Sequence, residues 1–576
     1  MKVSAPFAAF GIALLLLSSI GPYSGLGKQK GTGQPFPTLY SEASTFSTPI
    51  EAAEVAPVLH RMVSGITVPH HLLAADLIAR GFRVAEKNQY DKIVILFPDH
   101  FKKTRRPFAT THRAFETVFG VVETSEKDVA HLLNDGRIVE ESNLFFEEHG
   151  LGALLPFVKH YFPETPIVPV AVSLGATRDE LERLIADLKP VITRETLILQ
   201  STDFSHYLTQ AEAILRDQEV LNILAANDVD ALVKLRQPAH LDSRGAQYLQ
   251  MRLQAEHFGA RPLVIANMNS QSYADHEVRE TTSYIVQIYP SADETGQIEP
   301  AGPDMTKTYC FAGDTFFGRY MQKALARPGV TQRLREALTD RLKGCPLIVN
   351  LEGVTTDAMP EARGPLTLAM PETLALDWLK TLNVVAVGVA NNHAKDLGRD
   401  AFAGMVGTLV ANDIKVLRHG EISDLGAFRI VALTDIDNNE EPYRNRVGEE
   451  TLRAIGRSSA SPPLVAFLHW GTEYDAAPDM RQTALADALR RRGVSLIVGA
   501  HPHRANLTLE VLAGGQALVA YSLGNFIFDQ FDDRASSAIL EVRFFPQGTF
   551  FARLVPIPNV YELSRSPDPG MRKAAQ

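Results

Sequence analysis

One short stretch restricts this chain more than any other. Gly499-Ala500-His501-Pro502-His503 directly follows the apolar run Val494-Ser495-Leu496-Ile497-Val498. A buried strand that ends in two histidines one residue apart offers both imidazoles to a single site at its C-terminal end. The same placement recurs through this half of the chain. Tyr309–Gly313 leads to Asp314, and Pro346–Val349 leads to Asn350 and Glu352. Val384–Val389 leads to Asn391, Asn392 and His393, and Leu464–Leu468 leads to His469 and Glu473. Imidazole and carboxylate groups converging from strand ends are what a hydrolytic metal centre needs, and open α/β sheets collect ligands at the C-terminal ends of their parallel strands. One histidine so placed is more often a satisfied core or loop residue. Repetition at five strand ends outweighs that simpler reading.

These residues also carry a family resemblance. In order along the chain stand Gly313-Asp314 with Arg319, Asn350-Leu351-Glu352-Gly353, Ala390-Asn391-Asn392-His393 with Asp396-Leu397-Gly398, and His469-Trp470-Gly471-Thr472-Glu473-Tyr474. Pro478 and Gln482, Gly499–His503, and Tyr521–Gln530 follow. The segment from about 305 to 560 resembles the CapA/PgsA family of capsule and poly-γ-glutamate production, similar in fold to calcineurin-like metallophosphatases. Ser495 stands where that family usually has an acidic residue, and this leaves the ligand candidates intact. The expected metal set is Asp314, Glu352, Asn391 or Asn392, His469, His501 and His503, holding one or two divalent cations (Mn, Zn, Fe or Mg). The resemblance makes His393 the candidate acid for a leaving group. Arg319 and Glu473 are candidates for orienting a charged substrate.

At 576 residues the chain exceeds the size at which single cores stop growing, so two domains are expected. A formal net charge of −10 argues against a nucleic-acid surface, which needs a basic excess. The two cysteines, Cys310 and Cys345, supply neither a disulfide framework nor a cysteine zinc site. Both precede ligand motifs on apolar strands; they read as two small buried residues, with a bridge between neighbouring strands as the alternative. Lys2 followed by the apolar stretch Ala8–Ile20 suits a secretory signal or an uncleaved anchor.

The spacing predicts an α/β chain with this organisation: signal or anchor over 1–25, flexible linker over 26–56, a first α/β domain over 57–289, a linker over 290–306, a second domain over 307–562, and a disordered tail over 563–576. The first domain shows strand-like runs at Lys92–Phe97, Ile167–Val172, Thr196–Leu199, Leu263–Ala266 and Tyr284–Ile288, with helical patterns between them, as at Thr177–Leu188 and Gln210–Leu224.

This first domain has its own polar constellation. His70 follows Ile66–Pro69, His100 follows Phe97-Pro98-Asp99, Glu148 and His149 precede Leu151–Phe157, and Asp203, Ser205 and His206 follow Leu197–Gln200. Through Val68-Pro69-His70, Pro98-Asp99-His100, Glu147–Leu151, Leu155-Pro156-Phe157 and Ser201–Tyr207, residues 55 to 290 resemble the Memo-like family (AmmeMemoRadiSam system protein B). That family is similar in fold to LigB-type dioxygenases, which use non-haem iron. The implied fold is thus an N-terminal LigB/Memo-like α/β domain joined to a C-terminal metallophosphatase-like αββα sandwich. His70, His100 and His206 form the expected second ligand set, with Glu148, His149 and Asp203 beside it. The family's Cys-Gly pair is here Arg244-Gly245. A fixed positive charge cannot replace a thiolate, so only weak iron, copper or zinc binding is expected.

The function these readings favour is an exported, metal-dependent hydrolase-like protein of capsule, exopolymer or cell-envelope metabolism. Its expected substrate is an anionic polymer or phosphoester, its expected partner the polymer-synthesis machinery at the membrane, and its expected location the periplasm, the cell surface or an outward-facing anchor. A second reading is a non-catalytic polymer-binding assembly factor; a third gives the Memo-like half redox chemistry, which Arg244 weighs against. No phosphate-binding Gly-x-x-x-x-Gly-Lys-Ser/Thr loop and no Gly-x-Ser-x-Gly elbow occurs.

Overall fold

The apolar runs of the N-terminal half pair into one mixed sheet. Its strands run in the order Leu263–Asn269, Thr281–Pro290, Val63–Val68, Thr196–Ser201, Lys92–Pro98, Ile167–Val172, Phe108–Thr110, Val139–Glu141. The four strands from Val63–Val68 to Ile167–Val172 are mutually parallel, and the strands flanking this group are antiparallel to it. All four are buried along almost their whole length, as parallel strands covered on both faces must be. The structure is a computed structural model that describes residues 33–565 apart from 57, 60–61, 135–136, 291–305, 361–363, 365, 437–445, 456–461 and 531–535.

The C-terminal half builds two sheets. One runs in the order Lys415–Leu417, Val384–Gly388, Leu347–Leu351, Lys307–Thr315, Ser537–Phe544, Phe550–Ile557, with Asn525–Ile527 beside Lys307–Thr315. The other runs Ile422–Asp424, Arg429–Thr434, Leu464–His469, Val494–Ala500, Ala517–Ala520, Glu510–Leu512. Phe311, Ile348 and Ala386 of the first sheet pack against Val465, Phe467 and Val498 of the second in one buried cluster. Helices cover the outer faces, with Trp378 buried on one side and Leu485 and Leu489 on the other. The result is an αββα sandwich with its parallel strand ends on one edge.

Three expectations need correction. The linker assigned to 26–56 is structured from Phe36 onward, because Phe36 and Phe46 are fully buried and the helix Ser44–Ala53 packs on the N-terminal core. Serine- and threonine-rich composition hid its apolar face, Phe46, Ile50 and Ala53. Cys310 and Cys345 form a disulfide, which was the less favoured alternative. Cys310 pairs with Leu347 in the parallel ladder, so the register brings Cys345 to its neighbour's strand end. The helix Val560–Arg565 also continues past the domain end assigned to 562. The signal or anchor segment, nearly all of the linker at 290–306 and the tail beyond 565 lie outside the described residues.

The two halves are joined through the helix Gln210–Ala226, whose start is fixed by the reciprocal Thr209–Glu212 capping box. Gln218 exchanges hydrogen bonds with Phe550 of the C-terminal half: Phe550 N–H donates to Gln218 Oε1 (2.9 Å) and Gln218 Nε2 donates to Phe550 O (3.1 Å). Asn222 Nδ2 donates to Gly515 O (2.6 Å). Buried Asp217 accepts from Ser205 (2.5 Å), Asn267 (3.0 Å) and Gln547 (3.2 Å). Phe545 and Phe551 sit in the N-terminal core. An apolar contact fenced with hydrogen-bonded polar groups favours one mutual orientation.

Candidate metal centres

The C-terminal centre lies where the parallel strands of both sheets end. Its approach is set by two glycines. At Gly313 a β-carbon would collide with the Gly524 carbonyl, and at Gly499 with the Tyr521 carbonyl and the Trp470 ring. Only glycine permits those backbones to close up and bring Asp314 and His501 together. His501 and His503 then turn with φ of 95° and 56°, and Arg319 and Tyr474 with 48° and 63°. Non-glycine residues in left-handed backbone cost about 1–3 kcal/mol each and gather at functional sites.

The side chains meet closely. His501 N–H donates to Asp314 Oδ2 (3.0 Å), and His503 Nδ1 lies 3.3 Å from the same oxygen. Asn350 Nδ2 donates to Asp314 Oδ1 (2.7 Å). His469 Nε2 lies 2.8 Å from Asn392 Oδ1, 3.1 Å from His501 Nδ1 and 3.8 Å from Glu352 Oε1. Donor atoms of Glu352, His469 and His501 fall within 4.8 Å of one another, and so do those of Asp314, Glu352 and His503. Glu352 therefore belongs to two adjoining ligand groups. Asn391 faces elsewhere: its amide donates to Asn350 Oδ1 and Leu351 O and accepts from His393 N–H, so it holds the loop. Of the two candidate asparagines, Asn392 is the one presented to His469.

Burial and the neighbouring Asp314 push the pKa of Glu352 up to about 8. Burial and the surrounding imidazoles drive His469 well down, and His501 down to about 4. Burial also works against charge on His503, but Glu352 and Asp314 outweigh it and carry that ring up to about 9. Glu352 Oε2 is buried without a hydrogen-bond partner. The neutral imidazoles of His469 and His501, a third imidazole on His503 whose proton a cation would displace, two buried acids and an orphaned carboxylate oxygen are the donor set of a divalent cation, so the residues present fit such an ion.

The centre opens into a cleft of about 670 Å³ lined by Arg319, Glu352, His393, Glu473, Tyr474 and His503, among others. His393 Nδ1 lies 2.8 Å from Asp396 Oδ2. Burial opposes the charge of His393, and the Asp396 hydrogen bond and the Glu352 charge overcome it, raising its pKa. Arg319 makes a two-pronged pair with Asp529, at 2.5 Å and 3.1 Å. Asn350, Asn525, Asp396 and Asp529 were not assigned roles from sequence. Each stands inside a motif quoted above, and its side chain grips a ligand or cleft residue.

The N-terminal constellation also sits at parallel strand ends. Donor atoms of His70, His100 and His149 form one close group, and those of His70, Asp203 and Asp242 another. His206 enters neither; its Nδ1 is buried without a hydrogen-bond partner. Asp242, which no strand-end pattern marks, takes the inward position. Burial works against charge on His100, but hydrogen bonds to Asp242 and Glu148 carry it up to about 10. Burial and Asp242 push Asp203 well up. Arg244 does not bring its charge to the histidines. Its guanidinium donates to the carbonyls of Val233 (2.9 Å) and Leu235 (3.0 Å) and to Gln237 Oε1 (3.1 Å). The expectation that Arg244 repels a cation therefore loses its basis.

Fold and sites together define a two-domain α/β protein with a His/carboxylate centre in each half. Residues 40–284 match the family model described as Memo-like protein, and residues 308–440 and 429–530 match that of the bacterial capsule synthesis protein PGA_cap. The chain is 26% identical over 301 residues to the PGA biosynthesis protein CapA of Bacillus subtilis, covering 48% of this chain and 77% of that protein. It is 29% identical over 213 residues to the capsule biosynthesis protein CapA of Bacillus anthracis, covering 33% and 51%. It is 27% identical over 178 residues to a MEMO1 family protein of Methanopyrus kandleri, covering 30% and 63%. This chain joins a Memo-like region to a PGA_cap capsule-synthesis region.

Proposed function

We propose that the chain is an exported, divalent-metal-dependent hydrolase of capsule, exopolymer or cell-envelope metabolism, with its chemistry in the C-terminal centre. The observation that carries this reading is the pair of ligand groups sharing Glu352 on the floor of a cleft walled by His393 and Arg319. Asp314, Glu352, Asn392, His469, His501 and His503 would hold one or two cations. A bound divalent cation supplies Lewis acidity, polarising a phosphoryl or carbonyl oxygen and lowering the pKa of water to ~7.

The chain's own residues do the remaining work. Asp396 accepts from His393 Nδ1, which fixes the ring and leaves Nε2 as the atom that delivers a proton to a leaving group. Asp529 holds the Arg319 fork over the cleft, where a planar cation suits a phosphate or carboxylate. Glu473 also lines this cleft. The preferred substrate is a phosphoester or an anionic polymer, in company with polymer-synthesis proteins at the membrane.

The disulfide supports export, since such bonds persist in oxidising compartments. No helix among the described residues is long and apolar enough to cross a membrane. Activity with Mn2+, Zn2+, Fe2+ or Mg2+ on a panel of phosphomonoester, phosphodiester and peptide substrates tests the proposal. Turnover of one class, lost in Asp314→Asn, is the expected result. Metal binding without turnover of any class would favour the polymer-binding reading instead. Fractionation of cells with the periplasm or envelope is expected, and soluble cytosolic protein with an intact N-terminus would refute export.

A further inference from the structure

We propose that the Memo-like half carries a docking surface for a linear polycarboxylate, built from the cations of the loop 99–106 and the exposed rings of Phe101 and Phe146. This extends the reading above by holding the anionic polymer outside the C-terminal cleft. It rests on that polymer bearing carboxylates, not on turnover.

The charge is concentrated. Lys102, Lys103, Arg105 and Arg106 stand within five residues, in a chain whose formal net charge is −10, and all four are exposed. The nearby acids do not neutralise them. Glu147 pairs with Lys103 (2.5 Å), Glu140 Oε1 accepts the backbone N–H of Arg105 (2.8 Å), and Glu141 Oε1 accepts that of His112 (3.5 Å). Among the described residues, Lys102, Arg105 and Arg106 make no side-chain ion pair. The loop is nevertheless held in one shape. Asp99, 1% exposed, accepts the Lys103 N–H on Oδ1 (3.1 Å) and the Thr104 N–H and hydroxyl on Oδ2 (both 2.8 Å). Such side-chain-to-backbone bonds build tight turns. Lys102 itself turns in left-handed backbone, at φ 53°. Cations ordered in advance lower the entropic cost of binding a multivalent anion.

Aromatic rings are interleaved with this charge. Phe101 is 49% exposed and Phe146 43% exposed. Lys103 Nζ stands 5.7 Å from the Phe101 ring centre, and the Arg113 guanidinium 4.9 Å from that of Phe146. Phe146 immediately precedes Glu147, the partner of Lys103, so the two rings belong to one strip. Carboxylates suit the arginine and lysine heads. The aliphatic carbon between carboxylates suits the rings, whose cover from water is favourable. A polycarboxylate supplies both groups, whereas polyphosphate has no carbon to lay on the rings. Each ring already carries a cation on one face, which leaves less room for a stacked base than single-stranded nucleic acid needs.

The test is fluorescence anisotropy of labelled poly-L-glutamate titrated with the full chain. The wild type should bind at low salt and more weakly as salt rises. Combined Lys102→Glu, Arg105→Glu and Arg106→Glu should weaken binding about 10–100-fold, and Phe101→Ala about threefold. The charge reversal should cost as much in an Arg319→Ala chain, which separates this surface from the C-terminal cleft. Should it misfold by circular dichroism, glutamine at the same three positions should still weaken binding about tenfold. No binding at low salt, or equal binding by the wild type and the charge variants, would overturn the inference. Complete loss in Arg319→Ala alone would confine the polymer to the cleft and also overturn it. Tighter binding of polyphosphate or single-stranded DNA at equal chain charge would overturn the polycarboxylate as occupant. Absence of turnover on every substrate, with this binding intact, would instead refute the hydrolase reading and leave the surface standing.

Discussion

The two halves place their polar residues at the same location, the C-terminal ends of parallel strands, yet build different sites there. In the C-terminal half the ligand candidates stand on strands or on the turns that follow them, His501 and His503 in left-handed backbone, and two acids and three histidines converge beneath a wide cleft. In the N-terminal half the strands supply His70, His100 and Asp203, but Asp242 arrives from the turn before a helix. The C-terminal site sets two held side chains beside its ligand candidates, His393 on Asp396 and Arg319 on Asp529. The N-terminal site devotes its neighbours to orienting ligands, through Ser201 and Glu148.

Removing His393, the proposed proton donor, is the strongest way to break this contrast. His393→Ala should lower kcat by about 10²–10⁴-fold while metal content and KM change little. Comparable loss of bound metal would make His393 a ligand and erase the distinction between binding and acting groups.

The contrast also explains what was legible in sequence. Asp314, Glu352, His469, His501 and His503 each follow an apolar run within one to five residues, so the strand pattern nominated them. Asp396 lay in the same motif as its partner His393, three residues away, but Asp529 and its partner Arg319 are 210 residues apart. No periodicity reveals such a pair. Asp242 was missed because a residue before an N-cap serine has no strand to mark it, and Arg244 was given a role its side chain does not take. Its guanidinium follows the carbonyls of Val233 and Leu235, which only the folded turn brings near. The helix Ser44–Ala53 was hidden by its serines and threonines, since only three of its ten residues are buried.

The disulfide sharpens the comparison on stability, because the N-terminal half has none. Replacing both Cys310 and Cys345 with alanine should cost roughly 2–4 kcal/mol, given the loop it closes. Calorimetry should show the loss in the transition of the C-terminal half, and an unchanged melt would show that the bond adds nothing.

A smaller effect probes the seam between the halves. Burial pushes Asp217 up to about 6, against the hydrogen bonds from Ser205, Asn267 and Gln547 that favour its charge. The folded state then holds this proton more tightly than the unfolded chain, so stability from this group is greatest at low pH and falls as pH rises from ~4 through ~6. The change should be on the order of 1–3 kcal/mol. Asp217→Asn should flatten that part of the stability–pH curve, measured by denaturant titration. A curve unaltered by the substitution would remove Asp217 as its source.

The most direct measurement is metal content per chain of the purified protein and of the His501→Ala, His503→Ala variant, by elemental analysis after equilibration with Mn2+ or Zn2+. Both histidines lie on a turn, so the fold should survive, as circular dichroism will show. The variant should lose the ions of the C-terminal centre together with hydrolysis, keeping only what the Memo-like half holds. Unchanged metal content and unchanged turnover in a folded variant would contradict the assignment of the C-terminal centre.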